Sequence, residues 1–299
     1  MQYAVVHTTT YAYREAVLVS HHVSRLSPRD LGHQQCLQHE LRIEPAPAVT
    51  RDHLDYFGNA MTFFMIEGTH RALTVRARSR VAILPKTLPP ADLPLPWEAA
   101  RDFDALPPDV IEYIFASPSI AATPELAEYT RPSFSPGRPL MDALRDLTRR
   151  IHDDFTFDPD ATTVATPLGE VMRLRRGVCQ DFAQLGIGCL RAAGLAARYV
   201  SGYLETAPPP GAPHLAGADA SHAWLQVYCP GVGWIDVDPT NNLLPVDTHI
   251  TLGWGRDYSD VSPIRGVILG GGDHSLTVSV DVTRMADTSA DARRDQTSG

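Results

Sequence analysis

Apolar and polar residues alternate with a period of two through much of the first 84 positions. Tyr3, Val5 and His7 lead into Tyr11 and Tyr13, and the runs 38–43 (QHELRI), 61–66 (MTFFMI) and 73–83 (LTVRARSRVAI) repeat the pattern. Gly58-Asn59 marks a turn before the MTFFMI run. Short alternating strands separated by turn residues predict a β-rich domain of sandwich type over residues 1–84. The pattern then breaks. Twelve of the 25 prolines fall between Pro85 and Pro139. Proline removes a backbone donor and fixes φ, so 85–137 is expected to be a connector with short helices, one of them near Asp109–Phe115.

From Pro139 onward the period changes to that of a helix, with Leu140, Leu144, Leu147 and Ile151 on one face. A second helix is predicted from about Val178 to Ala193, closed by Gly194. The runs 197–204 (ARYVSGYL), 223–228 (AWLQVY), 234–237 (WIDV) and 276–282 (LTVSVDV) read as strands. Residues 138–284 form the second domain, and the small polar residues from 285 to 299 are expected to be a disordered tail. Gly270-Gly271-Gly272 lacks the lysine and hydroxyl of a phosphate loop and is read as a turn.

Composition narrows the function. Hydrophobic residues make up 43% and charged residues 20% of 299, ordinary for a globular chain with its own core. The net charge is −9 and no basic, aromatic-interleaved patch occurs, which argues against nucleic acid and anionic membranes as partners. The first residues lack the basic start and continuous apolar run of a signal peptide, so none is expected, and no stretch is long and apolar enough to span a bilayer. The four cysteines form neither a disulfide framework nor a CxxC zinc pair, so a reducing cytoplasmic setting without metal or cofactor is the expectation.

One constellation carries chemistry. Cys179, after Gly177, is placed in the first turn of the predicted helix, where unpaired N–H groups and the helix dipole favour a thiolate and can receive an oxyanion. Cys189 and Cys229 lack that setting and are expected to be inert. His222 opens the AWLQVY strand and Asp238 ends the next. CPGVG between them reads as a hairpin turn, and if Tyr228 faces Trp234, Asp238 is the diagonal neighbour of His222 on the same face. That gives a nucleophile, a base and a group to orient the base.

GVCQDFAQL and SHAWLQVYCPGVGWIDVDPTNN, separated as they are here, resemble the transglutaminase-like superfamily, whose fold is related to papain. The N-terminal stretch with DYFGNAMTFF and LTVRARSRV, and the segment HITLGWGRDYSDVSPIRGVILGGGDHSLTVSVDV, are similar to bacterial members of that family. The resemblance implies an α+β fold in which a catalytic helix packs on an antiparallel sheet behind the β-sandwich-like domain. It maps Cys179 to the nucleophile, His222 to the base and Asp238 to the third member. It also implies acyl transfer from a peptide or amide substrate through a thioester, ending in hydrolysis or transamidation. A non-catalytic binding module on the same scaffold is the alternative. Gln180, Asp181, Trp224, Asp257 and Tyr258 are further candidates for substrate contact.

Overall fold

The computed structural model describes residues 1–90, 95–205 and 221–285. The expected β-rich N-terminal unit is present. Strands β1 (Gln2–Ser24), β2 (Gln34–Glu44), β3 (Val49–Leu54) and β4 (Ala60–Ile83) belong to one sheet. The two alternating runs at 61–66 and 73–83 are a single strand, β4, which pairs antiparallel with β1 almost end to end. Register shifts between Ala12 and Val19 bend the pair. Phe64 and Ile66 from one half of β4 therefore share a core with Leu73 and Val75 from the other. All four strands lie in one hydrogen-bonded sheet, and its apolar face carries that core.

The Pro-rich stretch carries only short elements, among them the helix α1 (Pro108–Ile111), as the loss of N–H donors requires. Helix α2 (Pro124–Thr130), which the proline spacing concealed, is capped by the Thr123 side chain and packs on the central helix. Helix α3 (Leu140–Asp154) buries the predicted Leu140, Leu144, Leu147 and Ile151 face. A two-residue parallel bridge between β5 (Thr156–Phe157) and β6 (Arg176–Gly177) flanks helix α4 (Leu168–Leu174) and delivers the chain to the central helix.

That helix, α5 (Cys179–Ala192), is buried from Gln180 to Arg191, its polar members Gln180, Asp181, Gln184 and Arg191 included. It lies against a four-stranded antiparallel sheet with order β10-β7-β8-β9. These strands are β7 (Ala197–Leu204), β8 (Ser221–Cys229), β9 (Gly233–Val237) and β10 (His249–Gly255). Tyr228 pairs with Trp234, so the hairpin has the register read from the sequence. Phe182, Leu185, Leu225 and Val227 belong to the core between helix and sheet.

The closing segment takes a different partner from its neighbours in sequence. After the short helix α6 (Tyr258–Val261), strands β11 (Ile264–Gly270) and β12 (His274–Met285) pair with β1, completing the N-terminal sheet. Gly270, Gly271 and Gly272 make the turn between them, all with positive φ. Tyr3, Val5, Val280 and Val282 of that sheet then pack against Tyr203, Ile250 and Leu252 of the second. The expected disordered tail lies, beyond Met285, outside the described residues. Among the described residues no helix is long and apolar enough to cross a membrane.

Candidate active site

Cys179 is the first residue of α5 and is half-buried at its N-terminal mouth. The backbone N–H groups of Cys179 and Gln180 belong to the first helical turn, where no intrahelical acceptor exists. The turn is held by Asp181, whose Oδ2 accepts from the Val178 N–H at 2.8 Å and from the Thr162 hydroxyl at 2.6 Å. A Cβ on Gly177 would lie 2.5 Å from that oxygen, so only glycine lets the carboxylate fold back under the helix start. Burial raises the Asp181 carboxyl, and the two donors offset part of the rise. Asp181 is thus a cap rather than a substrate contact. Asp181→Ala is expected to lower stability by about 1–3 kcal/mol, since it removes the cap and leaves a buried N–H unpaired. Urea unfolding of the purified variant measures the loss.

His222 stands at the start of β8 and is 9% exposed. Its Nε2 lies 2.8 Å from Asp238 Oδ2. With Nε2 so engaged, Nδ1 is the nitrogen left to meet the Cys179 sulfur, which acts on the ring as a hydrogen-bond and charge partner. Burial alone would depress the imidazole. The Asp238 hydrogen bond, the Cys179 sulfur and the negative charge of both outweigh it and push the ring up to about 10.

Asp238 is completely buried and supplied with donors on both oxygens. Oδ1 accepts from the N–H groups of Thr240 (2.9 Å) and Asn241 (3.1 Å). Oδ2 accepts from His222, from the Asn241 amide at 2.8 Å and from His249 Nε2 at 2.9 Å. Burial would raise this carboxyl, but the two histidines hold it well below its usual range. The ligand atoms of His222, Asp238 and His249 lie within 4.8 Å of one another, a spacing a metal could use. The contacts of 2.8–2.9 Å, with an amide donor on the same oxygen, fit a hydrogen-bonded set instead.

The remaining candidates divide. Gln180 is buried beside the nucleophile, its amide 3.4 Å from the Val164 carbonyl. Trp224 is not in a cleft. It is fully buried, donates to Asp236 at 2.6 Å and has His222 and His249 against its ring. Gly202, paired with His222, leaves room for that indole; a Cβ there would meet it at 2.5 Å. Asp257, with no exposed surface, caps α6 through Ser259 and accepts from the Ser119 N–H. Tyr258 packs edge-on to Tyr199. Three of the five, Asp181, Trp224 and Asp257, are therefore spent on structure because their polar atoms are already satisfied. Cys189 is wholly buried, which pushes its thiol up to about 12, and burial raises Cys229 as well. A cavity of about 680 Å³ opens on the flank of α5, bordered by Leu126, Val164, Leu168, Met172 and Gln184. Neither Cys179 nor His222 lines it.

Two residues of the site were missed in the sequence. Asn241 follows the DPT motif directly, and a DPTN run ending a strand is a signal that could have placed it. His249 comes from a different strand, and nothing local marks it.

A cysteine at a helix start, a histidine at a strand start and a buried carboxylate behind it define a thiol-centred site on an α+β scaffold. The comparisons with known proteins bear on the scaffold. Residues 3–82 match the bacterial transglutaminase-like N-terminal region and residues 127–239 match the transglutaminase-like superfamily. An uncharacterized protein of Mycobacterium tuberculosis is 43% identical over 292 residues, covering 94% of this chain and 92% of that protein. A protein-glutamine gamma-glutamyltransferase of Pseudomonas aeruginosa is 34% identical over 123 residues, which are 40% of this chain and 18% of that protein. Among solved structures, a candidate cysteine protease from Cytophaga hutchinsonii shares the fold, with a TM-score of 0.74 at 19% identity over 96% of this chain and 91% of that one. The chain belongs to the transglutaminase-like superfamily, as a bacterial member with the characteristic N-terminal region.

Proposed function

We propose that the protein is a thiol enzyme that transfers an acyl group from an amide through a thioester on Cys179. The observation that carries this reading is the single line from the Cys179 sulfur through His222 to the Asp238 carboxylate at 2.8 Å. The thiolate attacks the amide carbonyl, and the oxyanion that forms faces the N–H groups at the helix start. The C–N bond breaks as His222 passes its proton to the departing amine. Water or a second amine then attacks the thioester, giving hydrolysis or transamidation. His222 takes a proton from that nucleophile, and the thiolate is released.

The non-catalytic alternative gains no support from the site. A binding module needs no carboxylate buried with five donors, one of them a histidine that pairs with a half-buried cysteine. A setting in the cytoplasm, a peptide or amide as donor, and independence from metal complete the reading.

Intact mass spectrometry with a panel of amides tests it. A covalent adduct on Cys179 that clears faster on adding an amine supports the proposal, and absence of any adduct across peptide, isopeptide and γ-glutamyl amides refutes it. The pH profile supplies a second check. The ring of His222 is raised from 6.5 to about 10, so the proton it donates is present across that interval and lost above it. Once a substrate is known, kcat/KM should hold through pH 9 and fall as pH passes about 10. The same shift adds stability that is complete below pH 6.5 and fades through about 10.

A further inference from the structure

We propose that His249 is a fourth member of this site, a positioning residue that donates Nε2–H to the Asp238 oxygen shared with His222 and so fixes the carboxylate that aligns the base. The inference rests on the thiol–imidazole reading above and adds a residue that lies ten positions beyond the superfamily match, which ends at 239.

The geometry is specific. Two imidazole nitrogens, from β8 and β10, converge on one oxygen at 2.8 and 2.9 Å. The strands are not neighbours: β7 lies between them. For His249 to donate from Nε2 as a neutral ring, Nδ1 must accept. The Thr248 hydroxyl lies 3.0 Å from Nδ1 and can donate to it, which selects that tautomer.

Charge decides why a neutral donor suits the place. His249 is 2% exposed, and burial lowers its imidazole below 6.5 even though Asp238 pulls the other way. The charged or titratable groups that act on it are Asp238, His222 and Asp236. The edge of Trp224, at 4.9 Å between ring centroids, fills the remaining side. A second cation on Oδ2 would repel the His222 imidazolium. A neutral N–H restrains the same oxygen without that competition, leaving the negative charge to the catalytic ring. Without it, the carboxylate can turn away from His222, and the thiolate–imidazolium pair weakens.

The test is the rate of Cys179 alkylation by iodoacetamide across pH in the full chain, read by peptide mass. His249→Phe keeps the ring and removes the N–H. It should slow alkylation at pH 6–7 about tenfold. His249→Gln, which returns an N–H near the Nε2 position, should recover to within about threefold of the parent. Thr248→Val, at an exposed position, should slow alkylation about threefold by freeing the tautomer.

A merely structural role would lower the melting temperature and leave the alkylation rate of the folded protein in place. A folded His249→Phe protein that follows the parent profile overturns the inference. If that variant does not fold, an unchanged profile in Thr248→Val overturns it instead. Failure of the underlying reading looks different: in the parent protein itself, Cys179 would alkylate no faster than Cys36 at pH 6.

Discussion

Cys179→Ala should abolish the covalent adduct and lower turnover by about a thousandfold or more, because both halves of the proposed cycle pass through a thioester on that sulfur. The fold should survive. Cys179 is half-buried at the edge of the core, so loss of one sulfur should cost within about 1 kcal/mol. The expected result is therefore a protein with parental circular dichroism, a melting temperature within a few degrees of the parent and no activity. Turnover retained by such a protein would end the assignment. The control is Cys189→Ala. Cys189 lies fully inside the helix–sheet core, and its loss should alter stability while sparing the thioester.

Asp238→Asn is expected to affect both chemistry and stability. The amide keeps the shape of the carboxylate but supplies one acceptor oxygen where two now take five donors. If its NH2 replaces Oδ2, it opposes the N–H groups of His222 and His249 and the amide of Asn241. His222 must then change tautomer, and kcat should drop by about a thousandfold to ten-thousandfold. Buried donors left without an acceptor should also cost about 3 kcal/mol in unfolding free energy. The sign of the pH dependence follows. The depressed Asp238 carboxyl contributes stability that is present above its ordinary value of 3.8 and is lost as pH falls. The asparagine variant should lack that component, so urea midpoints of parent and variant should converge in acid. Equal midpoints for the two proteins at pH 7 would show that the carboxylate is not the structural hub its contacts imply.

The placement of Cys179, His222 and Asp238 was legible because each is tied to a local rule. Gly177 and the apolar run after it put Cys179 at a helix start, and the CPGVG turn fixed the register that brings Asp238 beside His222. Strand β7 and helix α5 were legible for the same reason, having patterns bounded by glycine or turns. What stayed hidden depends on long-range closure. Strand β10 carries His249, Thr251 and two glycines, a composition that gives no clean alternation, and it is a strand because β7 pairs with it. Helix α2 has seven residues and owes its place to packing on α5 rather than to periodicity. Trp224 and Asp257 look like cleft residues in sequence because tryptophan and aspartate serve both purposes. Only burial and partners, the Asp236 carboxylate for one and the Ser119 and Ser259 N–H groups for the other, separate the two roles.

Strand β1 runs beside β12 from Gln2↔Met285 to Tyr13↔His274. During synthesis, these partners emerge hundreds of residues apart, so β1 must wait, with one hydrogen-bonding edge open, until β12 is out. Contacts of such separation slow folding and lengthen exposure to mispairing with other nascent chains. Once closed, the same arrangement works as a clasp. The four-stranded sheet is held within a single loop of polypeptide, and fraying at either end of that loop opens a seam shared by both halves of the molecule.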